Sequence, residues 1–138
     1  MGVKKVGDWT KVEKLIGNLA KEMLDAREKS LKLWGLKAEA LAKTHMSTQD
    51  LGWKPLKPKT VARKARKGQS TNILIATSDY FQAISSWTIE GTVLVGVTKT
   101  EKNGDGDVIA DIARIHEFGG GNIPARPLWQ PVFDETIA

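Results

Sequence analysis

At 138 residues, with 41% hydrophobic and 27% charged side chains, the chain has the length and composition of one folded domain. It contains no cysteine, which excludes disulfides, thiolate metal sites and a cysteine nucleophile. The net charge of +5 conceals an asymmetry: residues 1–68 carry 17 Lys or Arg against 7 Asp or Glu, and residues 69–138 carry 4 against 9. Such a chain can pair its basic half with the acidic half of another copy, or turn its basic half toward nucleic acid.

Residues 1–8 are expected to be flexible. They have lysines but no apolar core behind them, unlike a secretory signal. No apolar run approaches the ~20 residues needed to span a bilayer, so no membrane partner is expected. Asp8 or Thr10 can cap a helix, and Val12, Leu15, Ile16, Leu19, Met23 and Ala26 then recur at steps of three and four. The stripe continues through Trp34, Ala38 and Leu41, predicting one helix from about residue 9 to about 45, with Gly35 as the place for a bend. At 1.5 Å per residue it is roughly 50 Å long, more than a small core can cover. Part of it is expected to pack on something else, a neighbouring copy being the plain candidate. Leu31, Leu33 and Leu36 suggest a second apolar face.

Residues 46–72 are polar and turn-rich, and residues 54–72 read as a basic, mobile loop. Pro55 and Pro58 keep the stretch from Trp53 to Pro58 out of regular helix. A short helix is expected from Thr60 to Lys67. Lys54, Lys57, Lys59, Arg63, Lys64, Arg66 and Lys67 stand here with no acidic residue among them. They are candidates for contact with DNA or an acidic partner, beside Trp53 as a base platform or an apolar anchor.

Ile73, Leu74 and Ile75 form a short apolar run. Thr77 or Ser78 can cap a short helix that carries Tyr80, Phe81 and Ile84. Trp87, Ile89, Val93, Val95 and Val97 flank Glu90 and Gly91, which predicts a β-hairpin. Residues 99–107 form a polar loop. Val108, Ile112 and Ile115 predict another short helix, stopped by Gly119, Gly120 and Gly121. The proline-bearing tail from Ile123 is expected to run extended before Phe133. The fold class expected is α+β: a single domain over residues 1–138, its long N-terminal helix packed on a small antiparallel sheet with one or two short helices.

Catalytic groupings are scarce. His45 and His116 have no third partner at useful spacing, and structural or solvent roles are expected. Asn103, Asp105 and Asp107 resemble half of a calcium loop, but Val108 stands where its glycine belongs and Arg114 where its bidentate glutamate belongs. The three glycines follow a helix and lack the lysine of a phosphate loop. No enzyme activity, cofactor, metal or small-molecule substrate is expected.

Three segments in order carry a resemblance. The first is Gly52, Trp53, Lys54, Pro55 and Leu56, followed by Thr60 and Lys64. The second is Ile73 to Ser78, ahead of Tyr80, Ala83, Ile84 and Ser85. The third runs from Ala113 through His116, Glu117 and Phe118 to Gly120, then Ile123, Pro124, Ala125, Arg126, Pro127 and Leu128. Together they resemble the virion morphogenesis, or tail-completion, proteins of Mu-like bacteriophages, with the neck proteins of lambda-like phages as distant relatives. The family has glycine where Ser78 stands, leucine where Tyr80 stands and phenylalanine where Leu128 stands. The resemblance covers residues 35–130. It implies a structural role: completing the tail end or joining tail to head as a ring, often of six copies. The implied partners are other copies, the tail tube, the head connector and DNA passing through the ring. The implied locations are the virion and, during assembly, the host cytoplasm.

On that reading Ile123, Pro124, Arg126, Pro127, Leu128, Trp129 and Trp53 are interface candidates. The prolines stiffen the segment, Arg126 can fork onto a carboxylate, and Trp129 offers an apolar anchor. The alternative is a tail folded on its own domain, with Arg126 bridging to Glu117 or Asp134.

Overall fold

The computed structural model describes every residue except Met1 and Lys5. The expected flexible start includes those two, which lie outside the described residues. Its other members form no helix or strand.

Helix α1 spans Trp9–Thr48 and runs through Gly35 as one element. It begins where the Asp8 carboxylate accepts the Lys11 backbone N–H at 3.3 Å. It ends at Gln49, which takes a left-handed conformation and donates its backbone N–H to the His45 carbonyl at 2.9 Å. Helix α2 is Pro58–Arg66. It starts two residues before the expected Thr60, because proline fits the first helical position, where no N–H is needed. Helix α3 (Asp79–Ala83) leads into strands β1 (Ser85–Ile89) and β2 (Thr92–Gly96). The strands pair antiparallel with Ser85 opposite Gly96 and Ile89 opposite Thr92. Glu90 and Gly91 both have positive φ, 48° and 73°, the tight-turn geometry that matches strand twist.

Helix α4 (Ile109–Phe118) stops at Gly119, whose φ is 79°. Helix α5 (Trp129–Ile137) corrects the expectation of an extended tail up to Phe133. Its Pro131 sits in the first turn, where a missing N–H costs nothing. The fold is α+β as expected, with a long helix on a two-stranded sheet, but with four short helices instead of one or two.

The core gathers around the C-terminal root of α1. Ala38, Ala42 and Met46 meet Ile84, Ile109, Ala113, Leu128 and Val132, with Trp53 and Tyr80 closing the sides. Met46, Ile84, Leu128 and Val132 are fully buried, and each contributes about 1.5–3 kcal/mol by leaving water. The hairpin lies close against α1 at Gly35: a methyl there would come within 2.7 Å of Val93 Cγ2 and 3.1 Å of Ser86 Cβ. Further along, Arg27 Nη2 donates to the Gly91 carbonyl at 3.1 Å.

Candidate functional site

The tail from Ile123 folds onto its own chain. Arg126 is buried, and its Nε donates to the Lys54 carbonyl at 2.8 Å, with Nη2 at 3.4 Å from the Pro55 carbonyl. Neither expected carboxylate partner, Glu117 or Asp134, receives it. Glu117 instead caps α5 from outside. Its Oε2 accepts the N–H groups of Leu128 at 2.7 Å and Trp129 at 3.1 Å, and its Oε1 accepts that of Gln130 at 3.2 Å. A carboxylate at a helix N-terminus satisfies donors that have no partner within the helix.

Trp53 is buried and donates its indole N–H to the Pro127 carbonyl at 2.7 Å. Leu128 lies in the core. As interface residues, Arg126, Leu128 and Trp53 are therefore corrected: each is already engaged inside the chain. Ile123 and Pro127 are exposed, and Pro124 and Trp129 half-buried. Trp129 Nε1 reaches the Tyr80 hydroxyl at 3.2 Å.

The basic stretch divides. Lys64 is buried, and its Nζ donates to the carbonyls of Asn72 at 2.6 Å and Ile75 at 2.8 Å. That removes Lys64 from the candidate contacts with DNA or an acidic partner. Burial, then the neighbouring Arg126 and Arg63 cations, lowers its pKa from the usual lysine value. Lys54, Lys57, Lys59, Arg63, Arg66 and Lys67 remain exposed. Lys59, Arg63 and Arg66 stand at i, i+4 and i+7 of α2 and form one basic ridge, while Lys64 anchors the helix from another side.

The free part of α1 carries an uncovered apolar surface. Every residue from Trp9 to Ser30 is exposed. Val12, Ile16, Leu19, Met23 and Trp34 fall within about 60° around the helix axis at ~100° per residue. The first four are 42–65% exposed. At its inner end this stripe meets a cleft of ≈ 350 Å³ between α1, the hairpin and α5. Trp34, Val95, Trp129, Val132, Phe133 and Ile137 line that cleft, and Lys37 lies 5.9 Å from the Trp34 ring centre. Phe133 and Trp129 also border a shallower hollow on the α4 side, where Phe118 is 79% exposed.

The two histidines have opposite surroundings. Buried His45 holds the Asp50 carboxylate at 2.7 Å through Nδ1 and the Glu135 carboxylate at 2.8 Å through Nε2. Burial works against its charge, but the two carboxylates outweigh it and raise its pKa above the usual histidine value. The imidazolium thus ties the end of α1 to α5. His116 lies under α2, lining a cavity of ≈ 250 Å³ with Lys64, Tyr80 and Arg126. Its Nδ1 is buried without a hydrogen bond. Burial first, then the Arg126 and Lys64 cations, lowers its pKa, so the ring is neutral there. Burial likewise raises the Tyr80 pKa and keeps its hydroxyl protonated.

Among the described residues no group of three or more His, Asp or Glu is placed to hold a metal ion, and no helix is long and apolar enough to cross a membrane. The apolar arm was legible as a stripe at helical spacing. The cleft was not, because it exists only once α5, unforeseen in the tail, packs on α1. Compared with known proteins, the chain matches no family model, no curated protein and no solved structure.

Proposed function

We propose that the chain is a non-catalytic structural subunit of a tailed bacteriophage, completing the tail end or joining tail to head through a ring of copies. The observation that carries this reading is the arm: about three turns of α1 display Val12, Ile16, Leu19 and Met23 to solvent. A monomer gains nothing from that surface, whereas a subunit gains a neighbour, because burying such side chains contributes about 1.5–3 kcal/mol each. The basic and acidic halves suit a head-to-tail contact, in which one surface meets a different surface of the next copy. The ordered resemblance of the three segments supplies the phage context, with the tail tube and head connector as partners.

Mass measurement of the purified protein, alone and with tail tubes, tests the reading. The expected result is a closed assembly of defined copy number that binds tube ends, dissociates as salt rises and turns over no substrate. A species that stays monomeric at high concentration and ignores tail tubes overturns it. The exposed basic ridge on α2 favours one further role, contact with DNA in the ring's passage. Binding that falls steeply with salt on a log–log scale is then expected, and salt-independent binding removes that role.

A further inference from the structure

We infer that the cavity under α2 is a binding site for a small organic acid, a carboxylate head on a short apolar body. The site goes beyond the assembly reading and does not depend on it. Lys64 and Arg126 line the cavity and are only 7% and 5% exposed, and Arg63 of α2 lines it with them. One carboxylate shares that lining, Asp79. Its Oδ2 accepts from the Thr77 hydroxyl at 2.7 Å and from the Gly104 N–H at 3.4 Å. Among the described residues no carboxylate forms an ion pair with Lys64, Arg126 or Arg63. Two buried cations, close enough for each to feel the other, therefore stand against carbonyl dipoles with no counter-charge. A cation taken out of water is costly without an opposite charge beside it, and an arriving anion supplies one.

The hydrogen-bond count agrees. An ammonium has three N–H donors and a guanidinium five. Lys64 uses two, on the Asn72 and Ile75 carbonyls, and Arg126 uses two, on the Lys54 and Pro55 carbonyls. The rest have no acceptor among the described residues. His116, on the same lining, adds a buried Nδ1 without a hydrogen bond. The remaining wall selects the body of the ligand: Leu56, Ile73, Ile75, Ile109 and Ile112 are apolar. A bare inorganic anion would leave them uncovered. The volume of ≈ 250 Å³ lies just under the ~300–1,000 Å³ of ordinary ligand pockets, which suits a compact acid and excludes a nucleotide. Ala76 and Thr77 also line the cavity and, like Arg63, are exposed, so its mouth opens between α2 and the turn before α3. Leu74 on the wall is held at a φ of 64°. That conformation is strained for leucine, and such strain gathers at ligand sites.

Benzoate is the probe, benzamide its uncharged counterpart of the same shape, and inorganic phosphate the anion without an apolar body. Each is titrated into the protein at constant ionic strength, followed by calorimetry, melting and NMR of the His116 ring. One benzoate is expected to bind per chain and to raise the melting temperature. The His116 pKa is expected to rise, because the anion offsets the Arg126 and Lys64 cations that now depress it. Benzamide, which cannot make the charge-assisted bonds, is expected to bind about tenfold more weakly, and phosphate to bind more weakly than benzoate. Arg63→Glu, at an exposed position, is expected to leave melting in buffer unchanged and to weaken benzoate about fivefold, near the upper worth of one exposed ion pair. Benzamide binding as tightly as benzoate means a hollow with no preference for charge, and overturns the inference. Phosphate binding as tightly overturns the organic body. Absence of benzoate binding, or binding that leaves His116 unmoved or ignores Arg63→Glu, overturns the site. All of this is read on the isolated protein, so none of these results bears on copy number or tail-tube binding.

Discussion

The indole N–H of Trp53 donates to the carbonyl oxygen of Pro127 at 2.7 Å, joining positions 74 residues apart. One residue along in each stretch, Arg126 holds the Lys54 carbonyl at 2.8 Å. The stretch before α2 and the stretch before α5 are thereby laced together through backbone acceptors, which tolerate changes in the side chains around them.

Trp53→Phe keeps most of the buried area but leaves the Pro127 carbonyl without this donor, at an expected cost of about 1 kcal/mol. Trp53→Ala also opens a cavity and is expected to cost about 3–5 kcal/mol. Denaturant unfolding of both variants checks the pair. Equal and negligible losses would mean that Trp53 acts outside the fold.

Gly35→Ala has two opposed effects. Alanine favours the helix by about 1 kcal/mol over glycine. Its methyl, however, would sit 2.7 Å from Val93 Cγ2, and forcing the hairpin outward costs about 1–3 kcal/mol. Net destabilisation is expected, relieved when Val93→Ala is added. A Gly35→Ala protein that melts higher than the parent contradicts this.

The imidazolium of His45 is favoured in the folded chain. Its contribution is complete below the ordinary histidine pKa of ~6.5 and is lost as pH rises through the raised folded value. Asp50, held below the usual carboxylate range chiefly by its hydrogen bond to His45, contributes above its ordinary pKa of ~3.9 and loses that contribution as pH falls through the lowered one. His116 acts in the opposite direction to His45, since its lowered pKa makes stability fall as pH drops below ~6.5. Melting curves of the parent and His45→Phe, compared from mildly acid to mildly alkaline pH, isolate the clamp. The gap between them is expected to narrow as pH rises, and a constant gap would exclude an ionic role.

Lys64 and the ridge should separate cleanly. Lys64→Met leaves the Asn72 and Ile75 carbonyls unpaired and is expected to cost about 1–3 kcal/mol for each. Replacing Lys59, Arg63 and Arg66 together with alanine is expected to change stability little and to flatten the salt dependence of DNA binding. Binding that survives the triple replacement with its salt slope intact places the DNA contact elsewhere.

Much of the fold was legible because it is written in periodicity and punctuation. Asp8 and the apolar steps from Val12 gave α1, Glu90 and Gly91 gave the hairpin turn, and three glycines gave the end of α4. Helix α5 escaped because Pro127 and Pro131 mask it, and because its first N–H groups are satisfied by Glu117 from another helix. The destinations of Arg126, Trp53 and Lys64 were not legible either. All three bond to carbonyl oxygens, which every residue possesses, so side-chain pattern carries no trace of the pairing. For His45 a structural or solvent role was expected, but its two partners come from a turn five residues later and a helix 90 residues away, too distant for spacing to reveal.

The packing of α5 on the root of α1 has a consequence for synthesis. The wall made by Val132, Phe133 and Ile137 is absent until nearly the whole described chain has been translated. Until then Ala38, Ala42 and Met46 at the root of α1 lack the cover of Val132. Chains that stop short of α5 are therefore expected to expose that apolar root.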